Sequence, residues 1–122
     1  MALGSFLAAL GVMLGAFGAH SLPNMVAADQ LTKSLDNWKT GAHYHLIHAV
    51  ALVIVGLIWA HVSSGFAKTV AALFTFGILI FGGTLYAMAL GAPRFLGAIT
   101  PLGGLSFILG WVVLAVAALK SA

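Results

Sequence analysis

Charged residues cut the chain into long uncharged stretches. Residues 1–28 contain no Asp, Glu, Lys or Arg. Asp29, Lys33, Asp36 and Lys39 then fall close together, and residues 40–67 are again free of such side chains up to Lys68. Arg94 ends a third free stretch, residues 69–93, and Lys120 ends a fourth, residues 95–119. A helix that crosses the hydrocarbon core of a bilayer needs about 20 mostly apolar residues at ~1.5 Å rise each. All four stretches reach that length, predicting helices over about 3–20, 42–62, 68–90 and 98–119. The first is the shortest and would stand upright or thin the bilayer locally. A closed β-barrel would show ~10-residue segments of alternating polarity, whereas these runs are continuously apolar. No Lys or Arg precedes Leu3–Ala19. The basic start of a signal peptide is therefore missing, and this stretch is expected to be retained as the first span.

The connections refine this pattern. Residues 61–67 and 91–97 are short links, so helices 2–3 and 3–4 form antiparallel hairpins. The link over 21–41 is long and opens on the breaker Ser21-Leu22-Pro23-Asn24. Val26, Leu31, Leu35 and Trp38 then alternate with Asp29, Lys33, Asp36 and Lys39 in a roughly helical period. That predicts a short amphipathic helix over about 24–40 lying in the membrane interface, anchored by Trp38. Pro93 fits a loop and Pro101 the first turn of the last helix. The fold class is all-α: an integral membrane four-helix bundle over 1–122, with a short interfacial helix between helices 1 and 2.

Composition agrees. Hydrophobic residues make up 62% of the 122, and seven side chains are charged, five basic and two acidic. Mean hydropathy is +1.14. A soluble domain carries roughly 25% charged residues, so a water-soluble globule and a disordered chain are excluded. The net charge of +3 is scattered and forms no basic cluster, which argues against nucleic acid as a partner. With no cysteine there is no disulfide, thiol nucleophile, thiolate metal site or iron–sulfur cluster.

Small residues predict where helices meet, because lipid tails are as apolar as leucine and association depends on close backbone approach. Gly11-x-x-x-Gly15 and Gly15-x-x-x-Ala19 mark the first helix, Gly77, Gly82, Gly83 and Thr84 the third, and Gly103, Gly104, Ser106 and Gly110 the fourth. Packing is the preferred role for them over a flexible gate.

Topology gathers the polar side chains on one membrane face. His20 ends helix 1, His43, His45 and His48 open helix 2, Tyr86 lies near the end of helix 3, and Arg94 and Thr100 follow. The candidate polar cluster is His20, Tyr44, His48, Tyr86 and Thr100, beneath the 21–41 segment, with His20 and Tyr86 as the expected partners of His48. The opposite face offers His61, Ser63, Ser64, Lys68 and Lys120. The His-x-His-x-x-His run raises a metal or haem site, since imidazole is a common ligand. At about 100° per residue, however, His43 and His45 point to nearly opposite sides, whereas His45 and His48 share a face. His20, His45 and His48 are the possible ligands, but they lack a carboxylate or thiolate companion, so no metal and no cofactor is expected. The preferred arrangement has His43 and His45 exposed and His48 hydrogen-bonded inside the bundle. No carboxylate lies in any predicted span, which counts against a proton-coupled antiporter and against a glycosyl- or phospho-transferase. No Ser–His–Asp set is feasible, as both Asp residues sit in the interfacial segment.

Four local patterns resemble a known family. They are Gly15-Ala16-Phe17-Gly18-Ala19-His20; Trp38-Lys39-Thr40-Gly41 leading to Tyr44 and His48; Phe81-Gly82-Gly83-Thr84-Leu85-Tyr86; and Thr100-Pro101-Leu102-Gly103-Gly104 with Phe107 and Gly110-Trp111. Together they resemble the YgdD/YwdK-like small membrane proteins, the family called domain of unknown function 423, over nearly the whole chain. The resemblance implies a four-helix, multi-pass protein of the inner (plasma) membrane and implies no reaction. It favours cytoplasmic termini, although a Lys/Arg tally slightly favours the reverse. It does not call for histidine at 43 or 45. The preferred function is a non-catalytic accessory subunit or assembly factor, with the bilayer and other membrane subunits or itself as partners. The alternatives are a small-molecule or ion pathway, or a histidine-based cofactor site, at the His20/His48/Tyr86 face.

Overall fold

The structure is a computed structural model and describes residues 1–121. Its helices are α1 (Ala2–His20), α2 (Leu31–Ile58), α3 (Ser64–Ala89) and α4 (Leu96–Ser121). All four are long and apolar enough to cross a membrane. No strand occurs among the described residues. α1 packs along α2, α2 along α3, and α3 along α4.

The separate interfacial helix expected over 24–40 is not present. Leu22–Asn24 form one 3₁₀ turn, and residues 31–40 are the opening turns of α2 itself. Gly41 does not break the helix. The reason is a seam that runs through it: Ser34, Trp38, Gly41, His45, His48, Leu52 and Val55 are all buried. Their spacing alternates four and three, the period at which one helix face keeps meeting its neighbours. Gly41 belongs to this seam because an added Cβ would come within 3.1 Å of the Tyr86 ring. Trp38, expected as an interfacial anchor, is instead 3% exposed and packs with Leu22 and Ala89. At ~1.5 Å per residue α2 is about 42 Å long, against a hydrocarbon core of about 30 Å. Its first turns, with Lys33, Asp36 and Lys39, therefore extend into the headgroup region.

α3 contains a wider π turn at Ile78–Gly82. Such a turn disturbs the regular backbone ladder. The Thr84 hydroxyl lies 2.6 Å from the Ile80 carbonyl and 2.7 Å from the Thr100 hydroxyl, with which it shares a hydrogen bond. This ties the irregular turn to α4. α4 begins at Leu96, so Pro101 stands inside the helix rather than in its first turn.

The glycines divide by what faces them. On α1 the buried ones are Gly4, Gly11 and Gly18, seven residues apart. A Cβ on Gly4 would lie 2.7 Å from the Val53 backbone nitrogen, and one on Gly18 would collide with the Trp38 indole. Gly15 and Gly83, expected as packing positions, have nothing within 4 Å of an added Cβ and are exposed. Gly15 points off its seam because 4-3 periodicity rather than the Gly11-x-x-x-Gly15 pair sets the α1–α2 face, and Gly83 lies on an open side of α3. Between α3 and α4 the fit is reciprocal. Phe107 lies over Gly77, Phe74 over Gly110, and the Phe81 backbone against Gly103. Gly82 and Gly104 have only ordinary contacts.

Candidate functional site

Polar side chains inside the bundle pair between helices. In an α-helix, the carbonyl of residue i points toward residue i+4. A glycine at i+4 uncovers it to a neighbouring helix. α1 uses this device twice. Opposite Gly18, the Trp38 Nε1–H donates to the Leu14 carbonyl at 2.7 Å. One heptad away, opposite Gly11, His45 Nε2 lies 2.9 Å from the Leu7 carbonyl. A carbonyl only accepts, so His45 carries its proton on Nε2. Nδ1 is then an acceptor, and the Tyr86 hydroxyl donates to it at 3.2 Å. His45 thus links α1, α2 and α3. The Trp38 and Tyr86 rings pack against each other, centroids 4.6 Å apart.

His48, one turn further along α2, has the opposite tautomer. Its Nδ1–H donates to the Tyr44 carbonyl at 2.7 Å. Its Nε2 accepts from the Trp111 Nε1–H of α4 at 3.0 Å. The ring is sandwiched by aromatics, stacked on Phe107 at 3.5 Å between centroids and edge-on to Phe74 at 5.2 Å. Each imidazole thus uses both ring nitrogens, one as donor and one as acceptor. Ser106 adds a further tie, donating from α4 to the Leu73 carbonyl at 2.7 Å.

The expected cluster is thereby redistributed. Tyr86 pairs with His45, which was expected to be exposed, and His48 pairs with Trp111 rather than with His20 or Tyr86. His45 is 3% exposed because the α2 seam carries it inward. His43 is exposed, as its offset of about 200° from His45 requires. His20 is exposed at the end of α1. Thr100 is buried against Thr84, one step removed from the histidines. Tyr44 lies on the open side, in an aromatic groove of about 400 Å³ with His48, Phe81, Phe107 and Trp111. His20, His45 and His48 do not converge; no group of three or more potential metal-ligating side chains occurs among the described residues. No buried side-chain nitrogen or oxygen among the described residues lacks a partner. Trp111, the partner of His48, was visible in the sequence only as part of a pattern. Trp38 and His45 could have been found as one set from the 4-3 spacing of Trp38, Gly41, His45 and His48.

The family profile DUF423, described as a protein of unknown function, matches residues 14–104. The chain is 42% identical over 119 residues to the UPF0382 membrane protein YwdK of Bacillus subtilis, covering 97% of this chain and 94% of that one. It is 42% identical over 120 residues to a UPF0382 membrane protein of Staphylococcus epidermidis, covering 98% and 94%. A UPF0382 membrane protein of Haemophilus influenzae is 39% identical over 110 residues, covering 90% and 85%. No solved structure matches. With its four membrane-length helices and these relatives, the chain is a membrane protein and belongs to the DUF423 family.

Proposed function

We propose that the protein is a non-catalytic membrane subunit or assembly factor that acts through its outer surface. One observation carries this reading: the polar groups of the interior are consumed in ties between helices. His45 and His48 each use both ring nitrogens, and the Tyr86 hydroxyl is spent on His45. An ion relay or a metal site at these histidines would need a lone pair free to exchange. The outward faces, by contrast, are broad and apolar, as with Leu105, Ile108, Leu109 and Val112 on α4. We also place the termini on the cytoplasmic side.

Native mass spectrometry of the protein, gently extracted from its own membrane, tests the reading. Stoichiometric foreign subunits are the expected result. A bare or purely self-associated chain overturns it. The pathway alternative makes the opposite prediction in proteoliposomes: a proton or small-ion leak that Trp111→Phe alters by freeing His48 Nε2. A C-terminal alkaline phosphatase fusion should be inactive; an active one reverses the orientation.

A further inference from the structure

A polar cleft of about 520 Å³ lies between the first turns of α2 and the α3–α4 loop. Gln30, Lys33, Ser34 and Asn37 form one wall, spaced as a single helix face. Arg94 lies on the other, with the glycines Gly91 and Gly97. Two of the chain's five basic residues meet here. Neither acidic residue lines the cleft. Asp36 stands three residues from Lys33 on its outer side, and Asp29 accepts from the Gln30 side-chain amide at 3.3 Å, so both carboxylates flank the cleft without lining it. Two cations and three neutral side chains able to donate, without a lining carboxylate, are complementary to an anion. An arginine fork and a lysine point charge suit a phosphate in particular.

A second cleft, of about 240 Å³, opens from the first and shares Gln30, Ser34, Met88 and Gly91 with it. Its remaining wall carries the apolar side chains of Met25, Val26, Ala27, Ala89 and Leu90, with nearly as much polar surface beside them. α2, at about 42 Å, overruns a hydrocarbon core of about 30 Å, and its charged first turns beside the two compartments are the part that suits the depth at which a phospholipid changes from tail to headgroup. A free phosphate would use only the charged compartment, whereas a lipid fills both. We propose that this double cleft is a binding site for an anionic phospholipid, its phosphate between Lys33 and Arg94 and the start of an acyl chain along Met25 and Leu90.

The test titrates the full-length protein in neutral detergent with phosphatidylglycerol, phosphatidylcholine or inorganic phosphate, followed by native mass spectrometry and thermal unfolding. One phosphatidylglycerol should be retained per chain, in preference to phosphatidylcholine. Lys33→Gln and Arg94→Gln should each weaken retention about tenfold. Lys39→Gln, on the same helix but outside the cleft, should leave retention unchanged. Leu90→Asp should reduce lipid retention by spoiling the apolar compartment. An equal loss in Lys39→Gln reduces the effect to diffuse interfacial charge and overturns the site. Stabilisation by inorganic phosphate as strong as by the lipid overturns the lipid assignment. Retention of neither ligand overturns both. Circular dichroism in the same detergent confirms that each variant is folded. Arg94→Lys is the fallback if Arg94→Gln is not, and it should retain the lipid better than Lys33→Gln.

Discussion

The α1–α2 seam and the α3–α4 seam solve the same problem by different means. Both lie in a solvent that offers no hydrophobic drive between helices, so both depend on close approach and interhelical hydrogen bonds. Along the first seam the glycines belong to α1 and the large partners to α2, with Gly56 of α2 against Met1 as the exception at one end: Gly4 faces Leu52, Gly11 faces His45 and Gly18 faces Trp38. The partners step back by seven along α2 as the glycines step forward by seven along α1. The contact is a heptad repeat between antiparallel helices. Each repeat that has a polar partner also opens one α1 carbonyl, at Leu7 and Leu14. The second seam is reciprocal, each helix supplying both glycines and phenylalanines. Its hydrogen bonds come from hydroxyls, Thr84, Thr100 and Ser106. A one-sided seam makes α1 dependent on α2 alone, whereas the reciprocal one makes α3 and α4 a unit.

The sharpest way to break this contrast is to add a methyl group where two backbones meet. Gly103→Ala meets the Phe81 backbone and Gly4→Ala the Val53 nitrogen. Neither neighbour can rotate away, so each should cost about 1–3 kcal/mol or more in detergent unfolding. Gly103→Ala should unlock the α3–α4 unit, while Gly4→Ala should chiefly release α1, seen as selective proteolysis or hydrogen exchange of that helix.

Next in size are the ties of the one-sided seam. Trp38→Phe removes the bond to Leu14 and part of the packing with Phe17 and Tyr86. A loss of about 1–2 kcal/mol is expected, centred on α1, the 3₁₀ turn and the Tyr86–Ala89 end of α3. Equal loosening of α4 would contradict the separation of the seams.

A smaller effect is expected from Trp111→Phe, which leaves His48 Nε2 without its donor. Bonds between membrane helices average about 0.6 kcal/mol, with a maximum near 1.7. A double-mutant cycle with His48→Phe should recover a coupling in that range, and a coupling near zero would mean the pair is in contact but energetically idle.

The smallest effects belong to Gly15→Ala and Gly83→Ala. Both sites are open, so nothing is displaced and stability should rise by about 0.5 kcal/mol through the better helix propensity of alanine. These variants also sharpen the functional proposal. Undiminished stability with a lost subunit in the native mass spectrum would place a partner on that face. A loss of stability in the isolated chain would restore the Gly11–Gly15–Ala19 face that the sequence suggested.

Much of the fold was legible because a bilayer imposes a nearly one-dimensional rule. A span must be long and uncharged, and the positions of seven charged residues in the sequence are enough to count four of them. The same rule misled at Lys33, Asp36 and Lys39. Charge marks where a helix leaves the hydrocarbon, not where it ends, and α2 continues through them. Glycine spacing carried less. Gly11 and Gly15 are a packing motif in form, but only the rotation of α1 against α2 decides which glycines face inward. The histidines carried least. His45 and His48 share a helix face by sequence, yet one bonds Leu7 and Tyr86 and the other Tyr44 and Trp111. Those partners come from other helices or from backbone exposed by a missing side chain.

The sequence by itself therefore determined the class of protein, the number of spans and the hairpin order, because length, charge and turn chemistry are local properties. The tertiary structure alone decided the continuity of α2, the heptad register of α1 against it, and the opposite tautomers of two histidines three residues apart. A tautomer follows from which neighbour donates and which accepts, and the nearest cross-helix neighbours lie 38 to 63 residues away along the chain.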